Sequence, residues 1–159
     1  GDTQKVVRSG NWHGNDTCWR MVLDLNKCLY DFDGAGLPRK KPLRYLAVVD
    51  GIIGGEGNGP MSPDAKPCGV ILAGTHPAAV DMAAATLMGF DWQKLRLLKN
   101  SFEIQKRNFI PFLPSDISLV SNKPEWDGPL GQAGDRFAFK PHFGWVGAIE
   151  REPENQAKR

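Results

Sequence analysis

Three carboxylates and two histidines are the groups in this chain best suited to acid/base chemistry. They are Asp50, Glu56 and Asp81, with His13 or His76 as the partner that titrates near neutral pH. Glu56 stands between Gly55 and Gly57, where a carboxylate has little local structural purpose. Asp81 falls in the first turns of an expected helix, where the dipole alone favours a negative charge by about 0.3–1 kcal/mol. Asp50 precedes Gly51 and is equally at home in a turn. The sequence therefore points to Glu56 and Asp81 as acid/base or metal-holding carboxylates and to His13 as a proton shuttle. Structural alternatives stand beside each: His13 lies between Trp12 and a helix cap, and His76 is a cap neighbour before Pro77. His142, in an aromatic segment, reads as structural.

These groups surround residues 48–60, a β-branched run that breaks into Gly51, Gly54, Gly55, Gly57 and Gly59. Glycine at this density suggests positive φ angles or a backbone that must approach something closely. Taken as a loop at the carboxyl end of a strand, its amides would form an anion nest, and the free N–H groups of a helix starting at Ala78 would add to it. The expected ligand is a small anion, a carboxylate or a phosphate, touched by Asp50, Gly51, Gly55, Gly57, Asn58, Gly59, Thr75 and His76. The stretch is neither a P-loop nor a dinucleotide fingerprint, since no Gly-Lys-Ser/Thr follows and Pro60 rather than a helix succeeds Gly59. A magnesium ion would suit three carboxylates and a histidine, but carboxylates on separate loops meet only if the fold gathers them, so no metal is favoured. The competing functional class is a non-catalytic module that docks a partner or the rest of a longer chain.

The elements that must position these groups follow from periodicity. Cys18, Met21, Val22, Leu25, Cys28, Leu29 and Phe32 recur at helical spacing, with Asn15 or Asp16 as the cap, and predict a helix over 17–30 with that stripe buried. Residues 46–49 and 70–73 are short continuous apolar runs suited to strands covered on both faces. Pro77 in a first turn and Gly89 past the last one bound a helix over 78–88. A short helix over 92–98, a strand over 117–120 and a further strand over 137–139 complete the outline. The expected fold is α/β, a small mainly parallel sheet flanked by helices in a single domain. Its limits are a poorly ordered start over 1–10 with a short strand at 5–7, a body over 11–149 and a frayed charged tail over 150–159. Asp31, Asp33 and Gly34 resemble the opening of a calcium loop, but Pro42 occupies the position where that loop needs a glutamate.

Composition narrows the class. The 159 residues, 41% hydrophobic and 24% charged, suit one globular domain. A net charge of +2 is too mild for a nucleic-acid footprint, and the cluster Arg39, Lys40 and Lys41 reads as a solvated linker. No apolar run approaches the length of a membrane span. Cys18, Cys28 and Cys68 are odd in number with no C-x-x-C spacing, which argues against disulfides and fits a reducing, cytoplasmic compartment.

Laid out together, Trp12 to Thr17 with Trp19 and Arg20, Asp50 to Ile53 through Glu56 to Pro60, and Gly69 to Gly74 leading to Pro77, Ala79 to Asp81 and Met88 to Phe90 resemble a known family. It is the bacterial and archaeal domain-of-unknown-function family three hundred and sixty-two, with the resemblance spanning residues 11–149. The family has no generally assigned activity. Some members carry ferredoxin-like cysteine motifs and are described as iron-sulfur proteins; this chain has no such motif, so no cluster is expected and the cofactor is unknown. Family chains usually extend further on the amino-terminal side, which implies that Gly1 begins a carboxyl-terminal portion. An apolar face left by that arrangement, with the tryptophans and residues 109–112 as candidates, predicts either a homodimer or cover from the irregular region after Asn108.

Overall fold

The computed structural model describes residues 12–41, 43–104 and 110–152. The expected start over 1–10 with its strand at 5–7, residues 153–159 of the tail and residues 105–109 lie outside the described residues.

Pro77 suits a first helical turn because its φ is pre-set and the N–H it lacks has no partner there. Gly89, at φ 89°, closes the same helix in the left-handed region, and its N–H returns to the carbonyls of Ala85 and Thr86. The helix between them, α2 (Pro77–Met88), is apolar nearly all round and buries Ala78, Val80, Met82, Ala83, Ala85, Thr86 and Leu87. It contributes to both buried clusters. Met82 and Ala83 meet Ile117, Leu130 and Ala133, while Ala85 meets Phe90, Leu98 and Ile149.

The amino-terminal helix, α1 (Cys18–Asp31), matches the expected helix closely in extent but not in orientation. Its buried residues are Trp19 and Leu23; of the expected core stripe, Cys18, Met21, Leu25, Cys28 and Leu29 are exposed and Val22 and Phe32 are half-buried. The helix packs through its other side on α3 (Arg96–Glu103). Trp19 has the larger surface to hide, and its indole N–H is satisfied at the boundary by Asp16 at 3.1 Å. A one-turn 3₁₀ segment over Trp92–Lys94, capped by Asp91, precedes α3 where the sequence suggested a single short helix.

The sheet departs most from expectation. Strand β1 (Ala47–Asn58) runs through the whole glycine stretch, and β2 (Ser62–Gly74) runs back beside it, antiparallel, with Val48 opposite Ala73 and Asn58 opposite Ser62. Only Gly59, Pro60 and Met61 connect them, whereas a parallel crossover needs about a dozen residues. A second antiparallel pair joins β3 (Ser118–Leu119) to β4 (Gly128–Pro129). The mainly parallel sheet is thus corrected: the protein is a small α/β domain with two separate two-stranded antiparallel sheets among its described residues. Pro63 and Pro67, which suggested irregular chain, sit inside β2, a strand with one outer edge unpaired among the described residues. The expected strand over 137–139 does not form.

No helix among the described residues is long and apolar enough to cross a membrane.

Candidate functional site

Three of the glycines of β1, Gly51, Gly54 and Gly55, sit at close-packed positions. A Cβ built on Gly54 would lie 2.8 Å from the Phe139 ring, one on Gly55 3.0 Å from Pro63, and one on Gly51 3.0 Å from Val70. Within the stretch only Gly57 has a positive φ, 74°. Its N–H donates to the Lys140 carbonyl at 2.9 Å, and that of Gly59 to the Gly57 carbonyl at 2.9 Å. Those amides are committed to the protein. Asp50 accepts the Ile52 N–H at 3.1 Å, at the point where the pairing slips between Gly51 and Ile53. Asn58, beside the turn, is exposed.

Glu56 is 7% exposed and joins the hairpin to the chain beyond Phe139. One oxygen accepts the Lys140 backbone N–H at 3.0 Å and lies 3.3 Å from the Lys66 ammonium; the other lies 3.6 Å from the Lys140 ammonium. The Lys140 N–H, followed by the Lys66 ammonium, holds the carboxyl below its ordinary range against the opposing effect of burial. Such a group is ionised at neutral pH, so it suits an anchor or a base better than an acid.

Asp81 lies elsewhere, in a small cleft between helices with Val22 and Leu23 of α1 and Leu97 and Leu98 of α3. Its side chain reaches solvent, yet the apolar walls crowd it, and desolvation pushes its carboxyl above the ordinary range. His76 caps α2 in extended conformation, and its ring meets Phe112 edge-on at 4.9 Å. With Thr75 it borders a groove between β2 and Phe112 to Val120.

The antiparallel pairing separates the two halves of the expected anion site. Asn58 and Gly59 are at one end of the hairpin, while Thr75 and His76 follow Gly74 at the end opposite Ala47. At about 3.3 Å per residue, the intervening strand spans on the order of 35 Å. Asp50, Gly51 and Gly55 line a third place, a hollow between the hairpin and α2 closed by Phe137 and Phe139. Among the described residues, no three histidine, cysteine or acidic side chains gather as a metal-holding group.

His13 has chemically mixed surroundings. It borders a cavity of about 200 Å³ where the start of α1 meets Lys94, Arg96 and Trp145. Asn15 opens the helix by accepting the N–H groups of Thr17 and Cys18, each at 2.9 Å. Arg96 donates to Asp16 at 3.1 Å and to the Asn15 carbonyl at 3.3 Å, fastening α3 to that start. Bonds to the Arg20 side chain, and then to the Trp19 indole, lower the Asp16 carboxyl. The His13 ring meets Trp145 edge-on at 5.4 Å, and Lys94 donates to the Glu150 carbonyl at 2.9 Å. Sequence reasoning singled out His13 but missed its neighbours. Lys94 and Arg96 fall within the expected short helix over 92–98, and nothing local announces a pairing across eighty residues.

A family model described as Domain of unknown function (DUF362) matches residues 5–86, just over half of the 159 residues. No curated protein and no solved structure matches the chain.

Proposed function

The chain belongs to the DUF362 family, a domain of unknown function, and from that premise we propose that it is a docking module whose β1–β2 hairpin seats its outer face on a protein surface. The observation that carries this reading is the set of large apolar side chains the fold leaves in water there. Val48 is 59% exposed, Ile52 53%, Ile53 67% and Ile71 64%. Burying one such side chain stabilises by about 1.5–3 kcal/mol, so a partner covering this face gains from several at once. The inner face is already occupied by α2 and Phe139, and both outer edges of the pair lack a strand among the described residues. A two-stranded hairpin standing alone is marginal, which gives a further reason for cover on its second face.

The alternative of a small anion held by the glycine stretch has less support. The close-packed glycines account for themselves, and the amides of Gly57 and Gly59 are bonded within the protein.

In a preparation of the chain alone, the available occupant is a second copy. Light scattering after size exclusion should show mass rising with concentration towards a dimer, and Ile53→Lys with Ile71→Lys should return it to a monomer with an unchanged circular dichroism spectrum. A monomer at every concentration that also fails to bind a hydrophobic dye would sink the docking reading.

A further inference from the structure

We propose that the cavity at the start of α1 binds a small aromatic carboxylate. Its walls name the two halves of such a molecule. Trp12, Trp19 and Trp145 supply flat apolar surface, and aromatic rings pair favourably in offset or edge-on geometry. The ring of His13, also in the lining, stands edge-on to Trp145 at 5.4 Å. Lys94 and Arg96 also line it, and no aspartate or glutamate does. Asp16, outside the lining, pairs with Arg96 but also with Arg20, so the cations stay in excess and the ligand's sign follows from that.

Both cations are held without being used up. An ammonium has three donors, and Lys94 places one on the Glu150 carbonyl at 2.9 Å. A guanidinium has five, and one nitrogen of Arg96 serves Asp16 and the Asn15 carbonyl. These contacts hold both side chains in place beside the cavity, and charge-assisted hydrogen bonds from their remaining donors to a carboxylate are the stronger kind. Size limits the ligand: a cavity of about 150 Å³ accepts benzene, so about 200 Å³ suits a single ring with one carboxylate. The inference is independent of the hairpin's docking role.

Three of the five tryptophans line the cavity, so intrinsic fluorescence reports on it directly. Benzoate, benzyl alcohol and acetate would be titrated into the full chain, with calorimetry as a second measurement. Benzoate should give saturable quenching, and the neutral ring and the ringless anion should each bind at least about tenfold more weakly. Arg96→Gln and Lys94→Gln should each weaken benzoate by about tenfold while leaving benzyl alcohol unchanged. Arg96 is half exposed, so Arg96→Gln carries the test if Lys94→Gln does not fold. Equal binding of benzoate and benzyl alcohol, undiminished benzoate binding in Arg96→Gln, or no saturation at millimolar benzoate would each overturn the proposal.

Discussion

Glu56 and Asp81 leave the ordinary carboxylate range in opposite directions, and each direction sets a pH dependence of stability. The Glu56 carboxyl is held low, chiefly by the Lys140 N–H, so its contribution is present above the ordinary value of 4.5 and is lost as pH falls through the folded-state value. Glu56→Gln should therefore lower Tm at neutral pH, with the difference shrinking on acidification. Asp81 is raised from 3.8 by desolvation, so its contribution is complete below 3.8 and disappears as pH climbs through the raised value. Asp81→Asn should raise Tm at neutral pH and leave it unchanged near about pH 3. Thermal melts across that range check both, and shifts of the same sign for the two variants would refute the assignment. At this scale the sequence was informative about which residues are unusual, but less so about why. A glutamate between glycines is indeed out of the ordinary, yet what surrounds it, Lys66 and Lys140, comes from a cross-strand neighbour and from far along the chain. The charge partner of Arg96, Asp16, is likewise distant from it in sequence.

Among the elements, the helices and the strands over 46–49 and 70–73 were legible, but the extent and antiparallel pairing of those strands were not. Pro77 and Gly89 act through their own backbone, so a local reading captures them. Gly51, Gly54 and Gly55 act through what lies opposite, and Phe139, some eighty residues away from Gly54, is invisible to a local reading. In α1 the periodicity gave the helix, but two apolar sides competed for the core, and the side bearing Trp19 and Leu23 is the buried one. Nothing in the described residues covers the side bearing Met21, Leu25 and Leu29. Gly54 is the position where close packing of these glycines is most exposed to test. Phe139 cannot easily yield, because its N–H is fixed to the Met88 carbonyl at 2.9 Å and its ring packs on the cluster around Phe90. Gly54→Ala should cost about 1–3 kcal/mol in urea unfolding, by overpacking. Gly131→Ala, with no atom within 4 Å of the added carbon, should cost far less. Equal effects would mean that Gly54 answers to conformational freedom alone.

In the whole molecule, α2 belongs to both buried clusters, whereas the far half of the hairpin is held to the body by few ties. Leu87 and Thr86 are 2% and 1% exposed, so exposing α2 amides requires disrupting the core on both counts. The region around Glu56, Gly57 and Lys66 is fastened through Lys140 and the Phe139 ring, and beyond it Met61 is exposed. Local opening follows the ties that must break, so stability is graded along this structure. Amide hydrogen exchange should be slowest in α2 and fastest in the stretch 58–62, with the body of the hairpin between them. Glu56→Gln should speed exchange near the tip while leaving α2 at its original rate. Leu87→Ala removes a fully buried side chain, should cost about 2–5 kcal/mol, and should accelerate the slowest amides throughout the body. A tip as protected as α2, or an α2 that responds to Glu56→Gln as strongly as the tip does, would show that hairpin and body open as one unit.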